Sequence, residues 1–465
     1  MEEIRFISAH GALGAGVDAA SLAEALWVGP AFIACDAGTT DAGPFYLGSG
    51  QSAFPAEAIR SDLAKIIDAA RLAGCPAIIG SAGTAGTDEQ VAATLALIQG
   101  IAEDRGEVLR VAAIYTELDP AYLIETLGQG RIDALDPAPA ISPESIRRSQ
   151  HIVAMIGVEP LQEALTHEVD VVVAGRCSDA ALFAALPIAQ GFPEGLAWHV
   201  GKILECGPMA MVSPGPGVMV GIIDHNGATI RAIGPGAGVT PVSIAAHSLY
   251  ENASPDLFPE SSGTFDLSES TYDAMDETSV RITGSTFHPA VRSSVKLEGA
   301  ELAGYSSIIV GGIRDPLILG QLDSWLDGVR ERIDAMVESL LGDRLAGAHY
   351  ELVIHQYGRN AVMGDLEPDP AVPLHEVGLV VEVLAPTREL ASLIAQISRQ
   401  PLLHHPIPEW VGGVTTFACL HNPAHIDRGP VYQFNLNHIL FPERLEDVYR
   451  LELLEMGAAR ERTSL

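Results

Sequence analysis

A chain of 465 residues is too long for one ordinary core, so two domains are expected; 48% of it is apolar, yet no uninterrupted apolar run reaches the ~18 residues that a membrane-spanning helix needs. Sixty acidic against 27 basic residues give a formal net charge of −33, which excludes nucleic acid and anionic membranes as general electrostatic partners. The N-terminus, MEEIRFISAHG, has acids where a signal peptide has basic residues, so a cytoplasmic location is expected. Cys35, Cys75, Cys177, Cys206 and Cys419 are odd in number and far apart, as free thiols in a reducing compartment are, and no CxxC or CxxH pair offers a zinc site.

The first part of the chain alternates strand and helix. Phe6–Ala9 reads as a strand, followed by the glycine turn HGALGAG and a helix over Asp18–Leu26. Phe32–Cys35 is a second buried strand. It runs straight into DAGTTDAGPFYLGSG, where Asp36, Thr39, Thr40 and Asp41 stand among glycines and a proline. In an open parallel sheet, ligands sit at the carboxyl ends of the strands, so this stretch is either an active-site wall or a loop whose aspartates cap turns. A helix over Pro55–Ala73 and a strand at Ala77–Gly80 lead to GSAGTAGTDE and a helix from Asp88 to Glu103. Ser81, Gly83 and Thr84 in that turn make an anion cradle plausible, because glycines admit a ligand and the following helix directs free N–H groups at it. The pattern is neither a P-loop nor GxGxxG, and HGALGAG has its glycines in the wrong order for a dinucleotide. No cofactor is assigned.

Val111–Tyr115 and Val171–Ala174 continue the strand–helix alternation, which implies a largely parallel sheet with flanking helices. The latter strand ends in AGRCSDAALFAAL. Arg176 can grip a carboxylate or phosphate through its fork of donors, with Ser178 and Asp179 beside it, or Arg176 and Asp179 can simply close a turn. GLAWHVGKILECG then reads as a helix on which His199, Lys202 and Cys206 can share a face. Glu205 could serve as acid or base there and Cys206 as nucleophile, though one helix cannot point both neighbours equally inward, and Cys206 is alternatively a buried structural thiol.

From about residue 211 a second, mixed α/β domain is expected, beginning with a hairpin turned at Asn226–Gly227. Further strands are expected at Ser279–Gly284, Val291–Lys296 and Ser306–Val310, the last delivering Arg314 to a turn. Leu322–Leu341 reads as an amphipathic surface helix and Val377–Leu384 as a strand. His247 falls mid-helix, as a structural hydrogen bonder or a base. His404 and His405 are adjacent, so in an extended segment they point opposite ways, and no metal is assigned to them.

The phrases DAGTTDAGPFYLGSG, GSAGTAG, VVVAGRCSDAALFAALP, LAWHVGKILECG, TPVSIAAHSLYENA and VKLEGAELAGY followed by GIRDP resemble the acyclic terpene utilization (AtuA) family, and shorter echoes such as QPLLHH continue toward the C-terminus. The resemblance implies bacterial breakdown of branched acyclic terpenoid acids and a small companion protein, separate or fused; it brings no catalytic residue set. Taken with the substrate class that the resemblance implies, the residues suggest a lyase, hydratase or isomerase acting on a branched carboxylic acid or its coenzyme A thioester, and a homo-oligomer is expected. Arg176, Lys296 or Arg314 would hold the anion, and Asp36, Asp41, Asp179 or Glu205 would shift the proton. Alternatives are a non-catalytic acyl-ligand-binding or scaffolding subunit, and cysteine-based acyl transfer through Cys206 or Cys177.

Overall fold

The computed structural model describes residues 2–40, 42–250, 252–345, 347, 349–369 and 372–457. The chain divides into two compact units, Met1–Glu301 with Gln433–Leu465, and Leu302–Tyr432. Asp41, one of the predicted site residues, lies outside the described residues.

Five parallel strands organise the first unit: β1 (Glu3–His10), β2 (Ile33–Asp36), β3 (Ala77–Gly80), β4 (Leu109–Tyr115) and β5 (Val171–Ala174). They lie side by side in the order β1-β2-β3-β5-β4. Successive side chains on a strand point to opposite faces, so Phe6, Phe32, Ile78 and Val172 enter one core while their neighbours Ile7, Ile33, Ile79 and Val173 enter the other. Burial on both faces is why these strands read as unbroken apolar runs. Phe6 and Phe32 stack at 4.7 Å between ring centres in the first core. In the second, helices Ala56–Ala73 and Asp88–Arg105 supply Leu63, Ile66, Val91 and Ile98.

Antiparallel strands extend both edges of this sheet to ten. The hairpin Val218–Asp224 and Gly227–Ile233 pairs onto β1, so the change of character near residue 210 falls inside the first unit and not at its end. A separate three-stranded sheet, Leu257–Glu260, Gly263–Asp266 and Thr286–Pro289, belongs to the same unit. The strands expected at Val291–Lys296 and Ser306–Val310 are instead one, Val295–Ile313. Ser149–Met155 pairs along its first part and Val377–Ala385 along its last, so the strand continues through Gly299 and Gly304.

In the second unit, the strands Glu351–Tyr357, Val377–Ala385 and the end of Val295–Ile313 form an antiparallel sheet. Helices Leu322–Leu345 and Arg388–His404 cover it around Trp325, Ile309 and Val381. No helix among the described residues is long and apolar enough to cross a membrane.

One glycine turn turns out to hold its own anion. In HGALGAG, the Asp62 carboxylate accepts N–H bonds from Gly14 at 3.0 Å, Gly16 at 2.9 Å and Val17 at 2.9 Å, and Lys65 adds a fourth donor at 3.1 Å. Burial pushes the Asp62 carboxyl up, but the Val17 N–H, Lys65 and the Gly16 N–H together hold it below its ordinary value. Asp62→Ala leaves three N–H groups without an acceptor and is expected to cost about 3 kcal/mol, read from the urea midpoint. The contribution of Asp62 is present above its ordinary value of 3.8 and is lost as pH falls through the lower folded one.

Candidate active site

Register brings the ends of three strands to one edge. Asp36 pairs with Gly80, and Ile79 with Val173, so Ala37–Thr40, Ser81 and Arg176 leave the sheet together. Backbone bonds tie these exits to one another: Ala37 donates to Gly80 O, Thr39 to Thr84 O, and Ala82 to Ala174 O, at 3.0, 3.0 and 2.9 Å.

Arg176 is the hub of this edge. It is buried, and its Nε donates to Glu298 Oε2 at 2.9 Å while Nη1 donates to Ser81 Oγ at 3.2 Å and Asp179 Oδ1 at 3.3 Å. Its own N–H goes to Thr116 Oγ1 at 2.8 Å. Glu298 accepts a second cation, Lys296 Nζ, at 2.8 Å. Burial pushes the Glu298 carboxyl up, yet Arg176 and Lys296 outweigh it and hold the group down at about 2. Arg176 is thus held by the protein's own carboxylates and braces the site.

The glycines here serve packing. A Cβ on Gly38 would fall 2.0 Å from the Ser81 Cβ, and one on Gly86 would fall 2.2 Å from the Arg176 backbone nitrogen. The GSAGTAG turn is buried, and much of its N–H capacity is spent internally: Thr84 donates to Ser81 O, while Ala85 and Thr87 donate to Gln90 Oε1. Thr84 Oγ1 accepts from Ala53 N–H at 2.9 Å. Ser81 and Thr84 are also the two non-glycine residues of the turn at positive φ, +43° and +100°, a strain that the surrounding bonds sustain. Gly86→Ala, at φ +69°, is expected to cost about 1–3 kcal/mol in thermal or urea unfolding, and to lower turnover because Arg176 must move.

In front of Arg176 lies a cavity of about 260 Å³. Seven residues expected from the sequence line it: Thr39, Thr40, Arg176, Ser178, Asp179, Glu205 and Lys296. Met155, Lys202, Asn252, Phe258, Pro259, Glu260 and Phe265 complete the described lining. The other expected residues stand elsewhere. Ser81, Gly83 and Thr84 form the buried support, and Cys206 is not in the lining; its backbone packs against Gly11. Arg314 belongs to the second unit, where it lines a cleft with Thr415 and Glu376.

Asp36 is 2% exposed, just behind the lining. Its Oδ2 accepts the Gly38 N–H at 3.1 Å, and its Oδ1 has no partner among the described residues. Burial, then the nearby Asp179 charge, raises its carboxyl well above the ordinary value.

Two carboxyls of the lining are displaced the same way. Glu205 pairs with Lys202, one helical turn before it, but burial dominates, and Asp179 adds to it, so that its carboxyl is pushed up to about 8. Glu260 as a whole is half-buried with its carboxyl end enclosed, and burial likewise raises it to about 8 although Ser178 Oγ donates to it at 3.0 Å. The cavity thus combines acids kept protonated near neutrality with Glu298, behind it, kept ionised.

His199 turns away from Lys202 and Glu205. Fully buried, it lies 2.7 Å from Ser285 Oγ, 3.1 Å from Ser248 Oγ and 3.2 Å from the Tyr272 hydroxyl, and burial lowers it to about 3. Burial also brings His247 down to about 4. The buried Cys177 thiol is pushed up to about 12 by burial, far from the thiolate that a nucleophile needs.

Comparison with curated proteins and with solved structures finds no match. A family model does match, over residues 49–416, a span that takes in Arg176, Lys202, Glu205, Glu260, Lys296 and Glu298. Its description, acyclic terpene utilisation family protein AtuA, names the process to which its members are assigned. With most of its length inside that match, the chain belongs to the acyclic terpene utilisation (AtuA) family.

Proposed function

We propose that this chain is an enzyme of acyclic terpenoid or branched-chain acid catabolism: a lyase, hydratase or isomerase that moves a proton on a carboxylic acid or its coenzyme A thioester. The observation that carries this reading is the presence of Glu205 and Glu260 in one cavity, both protonated near neutrality, beside the cations Lys202 and Lys296. Proton transfer near neutral pH needs groups that titrate there, and burial brings both of these carboxyls into that range. Lys296 and Lys202 hold the substrate's carboxylate or carbonyl oxygen. Whichever of Glu205 and Glu260 is ionised takes the proton next to the carbonyl. In a hydratase the other, still protonated, gives its proton to the leaving hydroxyl, which departs as water.

The test is incorporation of solvent deuterium into 3-hydroxy-3-methylbutanoate, 3-methylbut-2-enoate and their coenzyme A thioesters, followed by NMR. Glu205→Gln and Glu260→Gln are each expected to slow exchange by roughly 10²–10⁴-fold, and Cys206→Ser to leave it unchanged. Wild-type rates in both glutamine variants, with the fold intact, would falsify the assignment.

A further inference from the structure

We infer that the cavity takes a short branched carboxylic acid as the free acid in preference to its coenzyme A thioester, with the apolar end on Phe258 and Phe265 and the carboxylate, which the thioester lacks, on Lys296. This rests on the proton-transfer reading above and narrows its substrate.

Size is the first argument. At about 260 Å³ the cavity lies below the roughly 300–1,000 Å³ of sites for drug-sized ligands. A short branched acid fits it whole, whereas the pantetheine arm and the nucleotide of a thioester would lie outside it and gain nothing from its lining.

Charge is the second. Coenzyme A carries a pyrophosphate and a phosphomonoester, which arginines and lysines recognise by forked or multiple charged bonds. The cations among the described lining residues are Arg176, Lys202 and Lys296, and each already meets a carboxylate: Glu298 and Asp179, Glu205, and Glu298. Asp179 stands in the same wall, and its charge repels phosphate. With Glu205 and Glu260 holding protons, the lining has a small positive surplus, enough for one carboxylate.

Polarity within the cavity gives the orientation. Phe258 and Phe265 stack at 4.7 Å and form an apolar wall suited to a branched hydrocarbon end. Lys296 and the Thr40 hydroxyl converge elsewhere in the lining on Glu298 Oε1, at 2.8 and 3.5 Å. Lys296 keeps about a third of its side chain exposed, so it can turn a donor to the ligand.

Calorimetric titration of the full chain with 3-methylbutanoate and 3-methylbut-2-enoate, against the coenzyme A thioester of each, tests this. The free acids are expected to bind at least about tenfold more tightly than the thioesters, and Lys296→Met, which leaves Glu298 its Arg176 partner, to weaken the acids about tenfold. Tighter binding of the thioesters, binding of neither, or acid binding untouched in Lys296→Met overturns the inference. Failure of the wider reading is distinguishable: acids that bind as expected but exchange no deuterium refute proton transfer and leave the binding assignment standing. Thioesters that bind and exchange while the acids do neither refute the substrate and leave proton transfer standing.

Discussion

Arg176→Ala is expected to destabilise the first unit by about 3–5 kcal/mol and to abolish turnover, because removing one partner of a buried ion pair strands the other. Glu298, 3% exposed, would keep Lys296 but lose its closest buried guanidinium, and Ser81 and Asp179 would each lose a donor. Lys296 softens the loss, which places the expected value toward the lower end of that range. Urea unfolding measures it. Arg176→Lys keeps a charge, but a single ammonium does not reproduce the fork that reaches three side chains, so partial stability and little activity are expected. The informative variant is the double replacement Arg176→Met with Glu298→Leu. Apolar side chains of similar size often restore what a broken buried pair loses, so stability is expected to recover while turnover does not. A stable, active Arg176→Ala protein would refute the bracing role. The pH sign follows from Glu298: its contribution is complete above 4.5, its ordinary value, and is lost as pH falls toward about 2.

Much of this edge is legible in the sequence because it follows from local rules. The strands around Ile33, Ile78 and Val172 are buried on both faces, so their apolar runs announce them, and the turn after each run marks the ligand-side end of the sheet. The glycines were legible as special positions but not in purpose: Gly38 and Gly86 are small because Ser81 and Arg176 occupy the space, a contact between residues far apart in the chain. Glu298 escaped sequence reading although a signal existed. Lys296 and Glu298 are two apart on a strand, hence on one face, within a run that is otherwise apolar. Asp62 gave a similar signal, an acid beside Leu63 on the buried side of its helix. Glu260 gave none. It lies in FPESSGTFD, a polar, proline-containing stretch whose strands belong to a small three-stranded sheet and whose burial depends on tertiary packing. The joined strand Val295–Ile313 hid for the converse reason, since GAELAG looks like a break until the partners that hold it extended are known.

Between about pH 5 and about pH 9 the first unit is expected to lose stability as pH rises, and Glu205→Gln and Glu260→Gln are expected to reduce that loss while suppressing turnover. Each carboxyl has an ordinary value of 4.5 and a folded one of about 8. Below 4.5 both folded and unfolded chains hold the proton. Between the two values only the folded chain does, so folding takes up protons and its free energy worsens with each step in pH, levelling off once the folded group has ionised. A glutamine of the same size is neutral throughout, so it removes one group's share of the slope; at alkaline pH the variant is expected to outlast the parent in urea. Activity should run the other way, with the alkaline limb of the parent's rate profile near pH 8 and the overall rate down by roughly 10²–10⁴-fold in the variants. The opposed signs separate a catalytic carboxyl from a structural one: a residue kept for folding would lower both stability and rate when replaced. Glu205 adds one complication, its bond to Lys202, which Glu205→Gln weakens and leaves less compensated. The stabilisation is therefore expected to be larger in Glu260→Gln, whose lost partner is the Ser178 hydroxyl, than in Glu205→Gln. A parent whose unfolding midpoint does not change across that pH window would show that neither carboxyl carries the extra proton, and the assignment of the pair as proton-transfer groups would fall with it.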